Sequence, residues 1–132
     1  MKKYFRIICI VFLGILISFF LPACNRGQNN ASNAIEAYIH ALSNKDSVQI
    51  SNLSCADWEQ NALLEVNSLT AVGSKVENLT CEKIGQDGAD TYVSCTGGLS
   101  LDYNGEAQQI DLSTRTYIAR QEDGEWRMCG YR

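Results

Sequence analysis

Six cysteines and one histidine hold most of the chemistry open to this 132-residue chain. Cys9 and Cys24 fall near the start, and Cys55, Cys81, Cys95 and Cys129 are spread over the remainder. No two of the last four form a Cys-x-x-Cys pair, and a single His cannot complete a mixed Cys/His set. The pattern therefore argues against a metal site and for disulfides. Four cysteines allow three connectivities, and only a strand register can choose among them. His40 is the one side chain whose ordinary pKa suits proton transfer near neutrality, which makes it the first candidate for a general base. Its position argues against that role. On a helical wheel with Ile35 at zero, Ile39 and Leu42 lie within about 40°, while His40 lies at about 140°, beside Glu36. The expectation is a solvated histidine with a carboxylate one turn away, and no catalytic residue is assigned.

Asp111, Ser113, Arg115 and Tyr117 alternate with Ile110, Leu112 and Ile118, the pattern of the wet outer face of a half-buried sheet. Tyr92, Tyr103 and Trp126 read as core or cross-strand packing. If the domain has a ligand pocket, the candidates to line it are Tyr38, Trp58, Leu99 and Leu112.

The start of the chain is an address. Lys2, Lys3 and Arg6 form a basic segment, Ile7 to Leu21 carries no charge, and Pro22-Ala23-Cys24 follows. That order is a secretory signal, and the uncharged run is shorter than the 18 to 20 residues or so that a spanning helix needs. Leu21-Pro22-Ala23-Cys24 resembles the bacterial lipobox, in which the Cys receives diacylglycerol and becomes the new N-terminus. The resemblance implies a signal peptide over 1–23 and a lipid, palmitate among its chains, on Cys24. Residues 24–32 are polar and read as a flexible tether. Residues 33–132 are then one domain. The partner implied is the outer side of a bacterial membrane, an oxidising setting in which disulfides persist.

Loss of residues 1–23 leaves eight Lys/Arg against fifteen Asp/Glu, a formal charge of -7. With no basic cluster left, nucleic acid is excluded as a partner. There is no Gly-rich phosphate loop, and no cofactor is expected.

Ile35, Tyr38, Ile39 and Leu42 mark an amphipathic helix over 33–43, with Asn33 and Glu36 at capping-box spacing. Residues 47–54 are ambiguous, and 57–70 reads as a helix through Trp58, Ala62, Val66 and Leu69. From Val76 the period becomes two, with strands expected at about 76–84, 90–103, 107–121 and 125–131. Turns at Gln86-Asp87-Gly88, Asn104-Gly105 and Asp123-Gly124 make them an antiparallel meander. A two-residue turn at Asn104-Gly105 pairs residues whose numbers add to 209, setting Leu99 opposite Ile110, Gly97 opposite Leu112 and Thr91 opposite Ile118. Gly97-Gly98 inside a strand marks a bend or bulge.

A three-residue loop centred on Gly88 places Cys81 opposite Cys95, and these two are expected to pair. That leaves Cys55 for Cys129. A two-residue Asp123-Gly124 turn points Cys129 inward, towards the helices carrying Cys55; a three-residue turn points Trp126 and Met128 inward instead. The two-residue turn is preferred, because Asp-Gly is a strong signal for it.

Helices followed by a bent four-stranded meander, with Ala37-Tyr38-Ile39-His40-Ala41-Leu42 and Asp46 near one end and Asp123-Gly124-Glu125-Trp126-Arg127-Met128 near the other, resemble the nuclear transport factor two-like (cystatin-like) superfamily. The resemblance implies an α+β fold, an open cone of sheet closed by N-terminal helices. Some soluble relatives are isomerases, dehydratases or cyclases with His, Asp or Tyr in the cone, and small lipoprotein members often have no assigned activity. The functional expectation is a non-enzymatic, lipid-anchored envelope domain binding a small apolar ligand or another envelope protein. The alternatives are a cone-fold isomerase or hydrolase with a carboxylate or Tyr base, and a structural spacer.

Overall fold

The structure is a computed structural model, and it describes residues 30–132. The expected signal peptide, Cys24 and most of the tether lie outside the described residues. Three helices precede five strands: α1 (Ala31–Asn44), α2 (Ser47–Leu53), α3 (Glu59–Ser68), β1 (Gly73–Asp87), β2 (Asp90–Tyr103), β3 (Glu106–Asp111), β4 (Thr116–Glu122) and β5 (Glu125–Tyr131). The class is α+β, as expected, with one strand more than expected.

α1 opens inside the stretch read as tether. Asn30, not Asn33, is the cap: its side chain accepts from the Asn33 amide at 2.9 Å. Glu36 is therefore free to reach the sheet, where it accepts from the Cys81 amide at 2.7 Å. The apolar stripe of α1 buries Ile35, Tyr38 and Ile39 against the concave side of the sheet. Lys45, in the left-handed region at φ 59, ends the helix, and Asp46 caps α2 by accepting from the Gln49 amide at 3.0 Å.

The extra strand comes from one interruption. Leu112–Thr114 forms a 3-10 turn, because the Asp111 carboxylate accepts from both the backbone amide and the hydroxyl of Ser113 and so pulls the chain out of the ladder. The expected strand over 107–121 is thus β3 and β4, both paired with β2. Up to the turn the pairing is the expected one, with Leu99 opposite Ile110. Beyond it the register moves by one, and Thr91 faces Ala119 instead of Ile118. A shift of one residue exchanges the faces of a strand. Tyr117 and Ala119 are consequently buried, and Tyr117 leaves the outer polar row to which the alternation had assigned it.

The bend lies where two glycines announced it. β1 is irregular between Glu77 and Thr80, opposite Gly97. Gly97 has φ +100, and a Cβ there would stand 2.5 Å from the Glu77 carbonyl oxygen, so only glycine fits.

The first hairpin reaches the expected cysteine pairing by another route. Asp87 pairs with Asp90 around a two-residue turn, not a three-residue loop, and Ile84 is then left unpaired between Lys83 and Gly85. This bulge restores the register, so Cys81 and Cys95 face each other with Cα atoms 4.1 Å apart, at disulfide distance. Such close approach belongs to a pair that does not exchange ladder hydrogen bonds, whose amide points off the edge; Glu36 receives it there.

The last turn is the two-residue one, with Glu122 opposite Glu125. Yet the inward residue is Met128, opposite Ala119, because the register shift had already exchanged the faces of β4. Cys129 sits half-buried in a bulge between Met128 and Gly130, so it does not face the core as expected. It meets Cys55 at the sheet edge, with Cα atoms 4.9 Å apart. The Cys55 amide donates to the Met128 carbonyl at 2.7 Å, which lays the segment after α2 along β5 and closes that edge.

Candidate functional site

The concave side of the sheet is largely filled. Ile35, Tyr38, Ile39, Ile50, Val66, Val93, Cys95 and Met128 are all at most 2% exposed and pack together there. Polar chemistry collects at one end, where α1, α3, β4 and β5 converge on Glu65. The Tyr38 hydroxyl donates to its Oε2 at 2.8 Å, and the Tyr131 hydroxyl donates to its Oε1. Trp58 Nε1 lies 3.4 Å from the Tyr38 hydroxyl oxygen and donates to it. The rings of Trp58 and Tyr131 meet edge to face at 5.3 Å, and the Arg115 guanidinium lies 4.4 Å from the centre of the Tyr131 ring. The bulge at Gly130 makes room for Trp58, whose ring would touch a Cβ there at 3.4 Å.

This setting holds the tyrosines neutral. Burial, then the charge of Glu65, pushes the Tyr38 hydroxyl far above the usual tyrosine range. Burial pushes Tyr117 up to about 12, and Tyr131 is raised chiefly by donating to Glu65. The unfolded chain ionises its tyrosines near pH 10 or so, whereas the folded Tyr117 holds its proton to about 12. The tyrosine contribution to stability is therefore constant below about pH 9 and is lost as pH rises from 10 to 12. Tyr117 alone accounts for about 2 to 3 kcal/mol of that loss. Urea unfolding at pH 7, 9 and 11 checks it: equal stability at all three contradicts the burial of these hydroxyls, and Tyr117→Phe should flatten part of the decline.

Beside Glu65 a cleft of about 150 Å³ opens between Leu42, Ser68, Leu69, Leu99, Ile110 and Arg115. Its walls are aliphatic and its rim carries one carboxylate and one guanidinium. Of the residues expected to line a pocket, Leu99 lies in this cleft. Tyr38 and Trp58 are joined by their hydrogen bond behind it, and Leu112 is buried in the 3-10 turn, apart from the cleft.

The other candidates separate. His40 is exposed, in a shallow groove with Asp46 and Gln49 on the far side of α1, and the carboxylate of its expected neighbour Glu36 is engaged by the sheet. Asp111 and Ser113 are exposed and bonded to each other, an arrangement that holds the Asp111 carboxyl below its usual range. Arg115 belongs to the Glu65 cluster. Tyr103 is 42% exposed, and Tyr92 is half-buried under the Arg132 guanidinium at 4.1 Å, so neither is a core residue.

Among the described residues, the side chains grouped closely enough to hold a metal are Cys55, Glu122 and Cys129. Two of them stand at disulfide distance, and Glu122 also accepts from the Ala56 amide at 3.2 Å. A disulfide offers no thiolate to a metal.

Glu65, at the centre of this cluster, is not among the candidates that the sequence offered. With Ala62 at zero on the wheel, Leu69 falls at about 340° and Glu65 at about 300°, next to the apolar stripe. A carboxylate so placed on a buried face was the available signal.

No protein-family profile matches the chain, and no curated protein matches it. Solved structures are similar in fold. A candidate ketosteroid isomerase from Shewanella frigidimarina superposes with a TM-score of 0.52 at 12% identity, covering 80% of this chain and 95% of its own. A SEC-C motif containing protein from Rhodopseudomonas palustris gives 0.52 at 13% identity, covering 81% and 82%. The helical cell shape determining protein of Campylobacter jejuni gives 0.50 at 9% identity, over 76% of this chain but 38% of that one. The domain shares with them an α+β, cone-like fold, three helices packed on an open antiparallel sheet. At such low identity the likeness is one of fold and carries no activity with it.

Proposed function

We propose that this chain is a non-catalytic domain, anchored through a lipid on Cys24 to the outer side of a bacterial membrane, that receives a small apolar group in the cleft beside Glu65. The observation that carries the binding role is the cleft itself, with Leu42, Leu69, Leu99 and Ile110 as walls and Glu65 and Arg115 at the rim. Its 150 Å³ falls below the 300 to 1,000 Å³ or so of most small-molecule sites. It suits a group the size of benzene or of one side chain from a partner protein.

A carboxylate among tyrosines in a cone of this fold also supports a second reading, an isomerase or hydrolase with Glu65 as base. It ranks lower because both Glu65 oxygens are engaged by tyrosine hydroxyls that hold the carboxylate in the packing between α1, α3 and β5.

Methyl-labelled protein titrated with benzene tests the binding role. Saturable shifts are expected at Leu42, Leu69, Leu99 and Ile110, and Ile110→Trp, which fills the cleft, is expected to weaken binding more than about tenfold. Shifts spread evenly over the surface, or unchanged in Ile110→Trp, would sink the proposal.

A further inference from the structure

A second cleft, of about 340 Å³, lies at the other end of α1, lined by Asn30, Ala31, Ser32, Lys83, Thr91 and Trp126. Thr91 is its unusual member. It occupies an inward position of β2, in the row continued by Val93 and Cys95, and it is 0% exposed. Its hydroxyl has no hydrogen-bond partner among the described residues. A buried hydroxyl left without a partner is costly, and an inward position on a strand calls for an apolar side chain.

The groups around it share one preference. The first turn of the 14-residue α1 contributes the Ala31 and Ser32 amides, which have no acceptor within the helix, at the positive end of its dipole. Lys83, opposite Val93 across the ladder, also lines the cleft, and its ammonium donates to the neutral Gln86 side-chain oxygen at 2.8 Å. Among the described residues no carboxylate lines the cleft, although the chain is acidic overall. Trp126 supplies one flat apolar wall. A helix N-terminus, a buried unpartnered hydroxyl and a lysine in the lining of one cleft suit an oxyanion.

We propose that this cleft binds a phosphate-type oxyanion, with the Ala31 and Ser32 amides, the Thr91 hydroxyl and the Lys83 ammonium as donors and Trp126 against the remainder of the ligand. The inference goes beyond the binding role given to the Glu65 cleft and stands without it. Two sources offer this chemistry: a free phosphate compound and a phospholipid headgroup. The headgroup is near at hand if Cys24 carries a lipid, since the six residue steps from Cys24 to Asn30 span about 20 Å at most.

The test uses the full chain, 15N-labelled, in neutral detergent and titrated with inorganic phosphate, then placed in bicelles of phosphatidylcholine with and without phosphatidylglycerol. Saturable shifts of the Ala31 and Ser32 amides and the Trp126 indole are expected. A response to free phosphate identifies a soluble ligand class, and a response only when phosphatidylglycerol is present identifies the headgroup. Silence in both arms overturns the proposal. Thr91→Val is expected to weaken binding about tenfold, with Thr91→Ser restoring most of it and Lys83→Gln showing a loss of its own. Without ligand, Thr91→Val is expected to raise the unfolding midpoint, since it removes an unpaired buried hydroxyl. A lowered midpoint would mean that the hydroxyl has an internal partner, which also overturns the proposal.

Discussion

Replacing Cys55 and Cys129 together by alanine is expected to lower the stability of the domain by about 4 kcal/mol, since the pair closes a loop of sequence separation 74. Domains of this size are stable by about 5 to 15 kcal/mol in all, so the loss should bring the unfolding midpoint down on the order of 20 °C. What then holds Ser54 and Cys55 along β5 is one backbone hydrogen bond, from the Cys55 amide to Met128. The hairpin pair is the internal comparison. Cys81 and Cys95, 14 residues apart, should contribute about 3 kcal/mol when replaced in the same way. Urea unfolding measures both, and peptide mapping without reductant establishes the links first. A Cys55–Cys81 or Cys95–Cys129 peptide would refute the register, and four free thiols would refute the oxidising compartment as well.

Changing Cys24 to alanine should have the largest effect in the cell. If the residue is the lipid acceptor, the parent protein loses residues 1–23, gains the mass of its acyl chains and fractionates with membranes. More than one chain holds it firmly, since a single acyl chain binds only marginally. The variant should keep its signal, at precursor mass and without lipid. Intact mass is the decisive readout, because an uncleaved apolar segment can also remain at a membrane. Parent and variant differing by the side-chain substitution alone would remove the lipobox reading and, with it, the membrane placement.

Much of the fold was legible because its signals are local. The α1 stripe of Ile35, Tyr38 and Ile39, the Asn104-Gly105 and Asp123-Gly124 turns and the Gly97 bulge each depend on a few neighbouring residues, and each is present. What misled the reading was the accumulation of register through irregular places. The 3-10 turn at Leu112–Thr114 exchanged the faces of β4, moving Tyr117 inward and reversing the orientation expected of Cys129. Its signal was short: an aspartate two residues before a serine, inside an otherwise alternating run. In the first hairpin a different turn and an unforeseen bulge at Ile84 compensated for each other, so the pairing of Cys81 with Cys95 emerged from a register that was right only beyond the bulge. The Glu65 cluster was less legible. Tyr38, Trp58, Glu65 and Tyr131 come from both ends of the domain, and nothing short of the closed cone brings them together.

That closure also fixes when the protein can become itself. β5 follows the other four strands in chain order, yet it meets the early part of the chain repeatedly: Tyr131 at Glu65 and Trp58, Cys129 at Cys55, and the Met128 carbonyl at the Cys55 amide. The hairpin of β1 and β2 can pair as soon as it exists, whereas the helices before it have no completed wall to rest on until the seven residues of β5 arrive. During that interval the nearest thiol along the chain to Cys55 is Cys81, the wrong one. Closure of Cys81 onto Cys95 before β5 is in place is expected to remove that competitor, so that the short bond guards the long one and a single bulged residue in the first hairpin sets the register on which this depends.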